Sequence, residues 1–206
     1  MTFSVDISGQ LELESFLEAA PAVTRQAVAL AMNDVLSGSG LARYRGSINE
    51  QVNFPTGYVN DQRFGMDKRA TPSNLTASLV GRQRPTSLAR FATSGVIGAK
   101  GGVSVKVKKE GSTTRMPSAF LVKLKAGTAS IADNYNVGLA IRLAPGQTLN
   151  KKDTSQMVHL DKNVVLLYGP SIDQILNNSV IDKDTPEVVS DVATEFFRQF
   201  ARLSNG

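Results

Sequence analysis

Apolar residues recur at helical spacing through the first quarter of the chain, from Leu11 to Ile48. Pro21 can begin a segment of this helix, because the N–H that proline lacks has no partner in the first helical turn. The run Ser-Gly-Ser-Gly at residues 37–40 interrupts the pattern, since each glycine costs about 1 kcal/mol relative to alanine in a helix. We predict one long N-terminal helix, bent or frayed at these glycines, that ends at the turn Phe54–Tyr58.

The middle of the chain changes to the alternation and β-branched content of strands. Two polar segments, Ala126–Asn136 and Pro145–Met157, are too weakly patterned for a core and are predicted to be long loops. Five segments are predicted to be strands of a mostly antiparallel sheet: Leu75–Arg82, Val103–Lys109, Ala119–Lys125, Val137–Leu143 and Val164–Tyr168.

The C-terminal segment has the pattern of an amphipathic helix. Thr185 is a predicted N-cap, Pro186 the first helical residue and Glu187 an acid in the first turn. One predicted apolar face carries Val189, Val192, Ala193, Phe196, Phe200 and Leu203. The predicted fold class is therefore α+β: a long N-terminal helix, a central mostly antiparallel β-sheet with long loops, and a C-terminal amphipathic helix.

Length and composition indicate one structural domain over residues 1–206, with residues 126–157 as extended loops or arms that neighbouring proteins order. The chain has no cysteine, which fits synthesis in a reducing cytoplasm. No apolar run approaches the roughly 20 residues of a membrane helix, so we expect no membrane partner.

Charge is distributed unevenly along the chain. Residues 1–62 carry 3 basic and 7 acidic side chains, and residues 126–206 carry 7 basic and 9 acidic ones. Residues 63–125 carry 13 basic side chains against only Asp67 and Glu110, so the whole net charge of +5 arises in the middle third. Such segregation bears on partners and assembly rather than on fold.

The basic segment predicts an interaction surface. If Val103–Lys109 and Ala119–Lys125 pair as a hairpin, the valines of the first strand join Phe120, Val122 and Leu124 on the buried side. The lysines then crowd the opposite face, as a solvated edge, as a contact for an acidic neighbouring subunit, or as a contact for DNA phosphates. The candidate interface residues are Arg82, Arg84, Arg90, Lys106, Lys108, Arg115, Lys123 and Lys125.

The sequence contains no recognisable catalytic or metal-binding pattern. His159 is the single histidine, no Gly-x-Ser-x-Gly elbow presents a nucleophile, and no cysteine or second histidine stands at metal-ligand spacing. The glycine-rich segment 95–102 lacks the spacing of a phosphate-binding loop, and the acids around Asp182 and Asp184 lack that of a calcium loop. We therefore expect a protein that is not an enzyme and that has no cofactor or metal. Asp184 is expected just ahead of a helix start.

The order of these features resembles the phage minor tail protein Z family, the tail-completion proteins of long-tailed phages and prophages. Its clearest element is a basic strand followed by Pro-x-Ala-Phe, which resembles Met116–Leu124 of this chain. The resemblance spans most of the chain and rests on six segments in succession: Ala27–Asn33, Arg82–Phe91, Val103–Val107, Met116–Leu124, Tyr168–Ile172 and Phe196–Phe200.

The resemblance implies a structural virion protein, made in the host cytoplasm, at the head-proximal end of the tail. Its implied partners are the tail terminator or tube on one side and the head-side connector or portal on the other. It also implies a homo-oligomeric ring, with six subunits as one candidate number, in which different patches of each copy meet. The alternative function is a basic DNA-binding protein that contacts phosphates without sequence specificity.

Overall fold

A computed structural model describes residues 21–95, 97–98, 101–124, 136–146, 157–161 and 163–205. The fold is α+β, with a long N-terminal helix, antiparallel sheets and a C-terminal helix, which confirms the predicted class. The described residues form two compact units. The helical unit comprises residues 21–48, 59–82 and 172–205, and the β unit comprises residues 49–58 and 83–171 apart from the gaps.

The N-terminal helix is bent, as the sequence predicts. Helix α1 (Ala22–Ser37) follows Pro21, and α2 (Ser39–Gln51) continues after Gly38. A Cβ at Gly38 would lie 2.9 Å from the carbonyl oxygen of Asp34, so the bend at this position requires glycine. The part of the predicted helix before Pro21 lies outside the described residues.

Helix α1 also anchors an irregular segment of the helical unit. Strands β1 (Phe64–Lys68) and β2 (Ser78–Gly81) pair as a two-stranded antiparallel sheet. After β1, the backbone of buried Ala70 is clamped by Asn33: its N–H donates to Asn33 Oδ1 and its carbonyl accepts from Nδ2, both at 2.9 Å. Asn33 ends one of the segments that carry the family resemblance, and its role here is structural.

The C-terminal helix begins earlier than the sequence predicts. It starts as α3 (Ile172–Ile175), passes through a π-helical segment (Leu176–Val180) and continues as α4 (Ile181–Ser204). The predicted start at Thr185–Glu187 is therefore wrong, and Asp184 lies inside the helix instead of ahead of it. Pro186 is tolerated within α4, although it leaves the carbonyl of Asp182 without its helical donor.

Helix α4 packs antiparallel against α1 and the start of α2. Gly40 allows close approach, because a Cβ there would lie 3.2 Å from Val188 Cγ1. Tyr44 Oη lies 3.0 Å from Thr185 Oγ1, and Gln199 Nε2 donates to a carboxylate oxygen of Asp34 at 2.8 Å. Burial of the phenol is the largest cause of a raised pKa at Tyr44, which the hydrogen bond from Thr185 partly offsets.

The β unit contains two sheets. The smaller has the order β4 (Ala92–Ser94), β5 (Val103–Val105), β6 (Thr114–Met116). In the larger, β8 (Asn136–Arg142) lies between β7 (Ala119–Leu124) and β10 (Val164–Gly169). Strands β3 (Thr86–Ser87) and β9 (Met157–Asp161) pair with opposite ends of β10, and Leu88–Phe91 forms a 3-10 turn. All described pairings between these strands are antiparallel.

The predicted hairpin between Val103–Lys109 and Ala119–Lys125 is wrong. Strand β5 pairs with β4 and β6, whereas β7 pairs with β8. The reason is a short extra strand, β6, which takes the pairing edge that the prediction assigned to β7. Residues Pro117 and Ser118 form a turn between β6 and β7, where the chain passes from the smaller sheet to the larger one.

Strand β7 buries apolar side chains on both of its faces. Ala119 and Leu121 join Val103 and Val105 in the core between the two sheets, together with Leu139, Ile141, Val165 and Leu167. Phe120, Val122 and Leu124 pack on the opposite face of the larger sheet, around Ala140, Val164 and Leu166. The side chains that the sequence assigned to the valine core therefore belong to a second cluster.

Gly138 lies under that second cluster. A Cβ there would lie 2.7 Å from Leu166 Cδ2 and 3.0 Å from Leu124 Cδ1, so the two leucines close over the glycine.

Among the helices of the described ranges, none combines the length and apolar character needed to cross a bilayer.

Candidate interaction surfaces

The structure divides the eight predicted interface residues between the two units. Arg82 lies in the helical unit, where its N–H donates to the carbonyl of Arg63 at 2.7 Å and its carbonyl accepts from Asp173 N–H at 3.3 Å. Lys125 lies outside the described residues. The other six lie in the β unit: Arg84, Arg90, Lys106, Lys108, Arg115 and Lys123.

Two of these six lie on the outer face of the smaller sheet. Val103 and Val105 face the core, so Ser104 and Lys106 face away from it by strand alternation. Arg115 pairs with Ser104 across the sheet and donates to Ser104 Oγ at 3.5 Å and to the carbonyl oxygen of Gly101. Lys106 and Arg115 therefore share one face of the smaller sheet. We call this outer face, together with Lys108 at its end, the basic face.

The basic face continues toward the segment that follows α2. Asn53 N–H donates to the carbonyl of Val107 at 2.8 Å, and Lys109 N–H donates to the carbonyl of Gln51 at 3.1 Å. Lys108 pairs with Val52 between these two bonds, and its side chain is exposed. Antiparallel pairing with the segment after α2 therefore fixes the backbone at Lys108.

Arg90 is positioned by an aromatic group. Its guanidinium carbon lies 5.1 Å from the centroid of the Tyr58 ring, at cation–π distance. Tyr58 is buried, its hydroxyl lies 3.1 Å from Thr86 Oγ1, and its ring stacks on Phe54 at 4.9 Å. A fixed ring beneath an exposed arginine limits the orientations of the guanidinium and leaves its outer face open to a partner.

The described β unit holds far more cations than acids. The acids among its described residues are Glu50, Glu110 and Asp161, so they can neutralise at most three of its cations. The helical unit is nearly balanced, with ten cations and nine acids among its described residues. The β unit carries eight cations: Arg84, Arg90, Lys106, Lys108, Lys109, Arg115, Lys123 and Arg142.

The helical unit uses its charges in ion pairs across its own helices. Arg43 of α2 donates to Glu187 of α4 and lies 3.8 Å from Asp191. Within α4, Arg198 binds Glu195 through two nitrogens at 2.6 and 2.8 Å, and this contact lowers the pKa of the carboxyl group to about 2. These pairs are partly or fully exposed and contribute little to stability individually.

An open groove runs beside β7 and is lined on one side by Phe120, Val122 and Arg142. Its volume is about 520 Å³, and Lys123 and Pro117 are also among its lining residues. The isolated pairing of Ile97 with Leu121 bounds the groove at the edge of β7. Lys123 pairs with Val137 and Arg142 follows the pair Ala119–Ile141, so these two cations lie at opposite ends of the β7–β8 ladder, on a different sheet from Lys106 and Arg115.

The residues that the sequence offered for chemistry, His159 and Asp184, belong to different units. His159 lies on β9 opposite Val165, and nothing is described of its side chain. Asp184 is buried, and its Oδ2 has no hydrogen-bond partner. Across the described ranges, no group of three or more histidine, cysteine, aspartate or glutamate side chains is placed to hold a metal ion.

The glycine-rich segment has a structural role where it is described. Gly98 N–H donates to the carbonyl of Leu121 at 3.0 Å, and Gly98 and Gly102 have φ angles of 77° and 78°. The segment leads into β5 as the sequence predicts, with glycines at the left-handed positions.

A surface of α4 departs from the predicted apolar face. Val192, Phe196 and Leu203 are half-buried, whereas Val189 and Phe200 are 45% and 37% exposed. Phe197, which the predicted face left out, is 69% exposed. The spacing of apolar residues in the helix was the available signal, because Phe197 falls one turn after Ala193 and two turns after Val189.

Comparison of the chain with protein-family models, with curated proteins and with solved structures gives no match.

Proposed function

We propose that this chain is a structural subunit of a long-tailed bacteriophage particle that completes the tail and joins it to the head-side connector. The observation that carries the proposal is the basic β unit, in which eight described cations stand against three described acids. Such an excess favours contact with an acidic surface. The cations repel one another in the free protein, and an oppositely charged partner lowers that electrostatic free energy.

The resemblance to the minor tail protein Z family supplies the biological setting of that contact. Its Pro-x-Ala-Phe element, in Met116–Leu124, is the turn that joins β6 of the smaller sheet to β7 of the larger one. In its Tyr168–Ile172 segment, a Cβ at Gly169 would lie 3.0 Å from Phe91 Cε2, so glycine admits the buried ring. These two segments of the resemblance therefore contain residues that organise the β unit, which is the unit that carries the excess of cations.

The basic face is the surface we assign to the acidic partner, a neighbouring ring in the tail or neck. Lys106 and Arg115 share one side of the smaller sheet, and Lys108 lies where that side continues. A paired backbone presents them, so little ordering of the main chain is needed on contact.

The test compares two triple variants in a phage that encodes the chain. Replacement of Lys106, Lys108 and Arg115 by glutamine should leave the protein folded and block the joining of heads to tails. The control replaces the exposed cations Lys68, Arg69 and Lys183 of the helical unit by glutamine, which removes the same charge. The control should yield normal numbers of infectious particles.

Two outcomes contradict the proposal. Joined, infectious particles from the first variant at the control's level would remove the basic face from assembly. Absence of the protein from purified tails and whole particles on immunoblots would reject the virion role itself.

The alternative, non-specific binding to DNA phosphates, uses the same cations. Purified protein would then bind duplex DNA with an affinity that falls steeply with salt, by about 0.9 logarithmic units per phosphate contact and tenfold rise in salt. Such binding by a protein that is absent from particles favours the alternative. Its loss in the first triple variant, but not in the control, would assign that binding to the basic face.

A further inference from the structure

Helix α4 exposes a stripe of apolar residues along the face turned away from α1 and α2. Phe197, Val189 and Phe200 are 69%, 45% and 37% exposed, and they are three of the four large hydrophobic residues most exposed in the described chain. Ala193 lies between them, and Pro186 extends the stripe toward the start of the helix, both exposed. We call these five residues the α4 stripe. A continuous apolar patch that includes an exposed phenylalanine is typical of a protein contact surface.

The α4 stripe is symmetric about its middle residue. Its members are separated by 3, 4, 4 and 3 positions, with Ala193 at the centre. Reversal of the helix therefore maps Val189 onto Phe197 and Pro186 onto Phe200, apolar onto apolar. A patch that maps onto itself under a two-fold axis is what a symmetric contact between identical subunits requires, and alternate spacings of 3 and 4 are those of a helix-pairing seam.

We infer that the α4 stripe is a self-association surface, on which α4 of a second copy of this chain lies antiparallel. Ala193 of each copy meets at the two-fold axis, where its small side chain allows close approach of the helices. Val189 then packs against Phe197 of the partner copy on each side of the axis. This inference is independent of the role in a phage particle.

Charge on α4 favours the antiparallel orientation. The half of the helix before Ala193 carries four acids and one lysine, whereas the half after it carries Arg198 and Arg202 with Glu195. Antiparallel pairing places the acidic half of each copy against the basic half of the other, and parallel pairing places like charges together.

The contact is expected to be modest in strength. Fourteen residue steps from Pro186 to Phe200 span about 21 Å of helix at 1.5 Å per residue. A helix pair of this length falls below the roughly 1,200 Å² of total buried surface that marks a standard interface. Dimers should therefore form at micromolar or higher concentrations, and dissociate on dilution.

Disulfide trapping tests the geometry directly, because the chain has no cysteine of its own. In Ala193→Cys, the two thiols face each other at the axis, so mild oxidation should give covalent dimers. Ala201→Cys is the matched control: it changes the same exposed residue type on the same helix, but lies eight positions from the axis. Its two thiols would be separated by about 24 Å along the paired helices, far beyond disulfide range.

A mixture of Val189→Cys and Phe197→Cys proteins reports the orientation. If the two are distinguished by a size tag, antiparallel pairing yields the mixed dimer in excess over either homodimer. Equal trapping of Ala193→Cys and Ala201→Cys would overturn the inference. Trapping of Val189→Cys with itself as readily as with Phe197→Cys would overturn it as well, because it indicates a parallel or head-to-tail contact.

Sedimentation equilibrium of the protein without cysteines gives a second, non-covalent readout. Phe197→Ala should weaken dimerisation at least about tenfold, since exposed aromatic residues dominate such contacts. Val80→Ala, at another exposed apolar residue in β2, should leave it unchanged. Circular dichroism and urea unfolding confirm that both variants fold. An unchanged dimer in Phe197→Ala, or a wild-type protein that stays monomeric at about 0.3 mM, would refute the inference.

Discussion

Two glycines in the same segment provide a sharp test of the packing in the β unit. Gly98 and Gly102 both have positive φ angles, 77° and 78°, that L-residues rarely adopt. A Cβ at Gly98 would meet nothing within 4 Å, whereas one at Gly102 would lie 2.8 Å from the carbonyl oxygen of Met116 and 2.8 Å from Pro117 Cα. Substitution of each by alanine therefore imposes backbone strain at both positions but a different steric cost.

The expected magnitudes follow from these distances. A left-handed conformation costs an L-residue about 1–2 kcal/mol. The smaller conformational freedom of alanine in the unfolded chain returns about 0.4–1 kcal/mol. Gly98→Ala should therefore destabilise the β unit by about 0.5–1 kcal/mol. Gly102→Ala adds a clash with backbone atoms that cannot rotate away, at about 1–3 kcal/mol, for a total of about 2–4 kcal/mol.

Urea unfolding of the two variants and the wild type measures the difference. With a slope of about 2 kcal/mol per molar urea, the midpoint for Gly102→Ala should lie about 1 M below that for Gly98→Ala. Equal midpoints would refute the placement of Gly102 against the turn at Met116 and Pro117. A larger loss in Gly98→Ala than in Gly102→Ala would refute the assignment of the steric cost altogether.

Two further predictions concern the helical unit. Asn33→Ala removes both hydrogen bonds to the backbone of buried Ala70 and should lower the free energy of unfolding by about 2–4 kcal/mol, measured by urea denaturation. The control Asn205→Ala, at an exposed helix end, should change it by under about 0.5 kcal/mol. Equal losses in the two variants would show that Asn33 does not hold the Ala70 backbone. Because burial raises the pKa of Tyr44, the wild type should lose stability as pH rises above about 10. The stability that Tyr44→Phe loses relative to the wild type at pH 7 should therefore become smaller above pH 10, as measured by urea denaturation. A stability difference that stays constant from about pH 7 to 11 would contradict the raised pKa.

The charge distribution shows how far sequence alone reaches toward the candidate site. Side-chain charge is a property of composition, so the basic middle third was visible without any structure. The grouping of particular cations was not, because it depends on which strands pair. Lys123 was predicted beside Lys106, but β7 pairs with β8 and Lys123 lies on the other sheet.

The C-terminal helix shows the same limit in another form. Its helical periodicity predicted α4 over most of its length, yet the sequence placed Phe200 on the buried face and left Phe197 unassigned. Apolar residues cover about half of the circumference of that part of the helix, so the pattern does not say which of them are buried. The face that packs on α1 was decided by polar contacts such as Gln199 with Asp34, which tie together residues 165 positions apart.

The sequence by itself determined the α+β class, the bend of the N-terminal helix near Gly38, the positions of five strands and the basic middle of the chain. These follow from local periodicity, backbone preference and composition, which act over a few residues. Only the tertiary structure decided that β6 separates β5 from β7 and that the α4 stripe is exposed. Both depend on contacts between distant segments, and local patterns are equally compatible with more than one such arrangement.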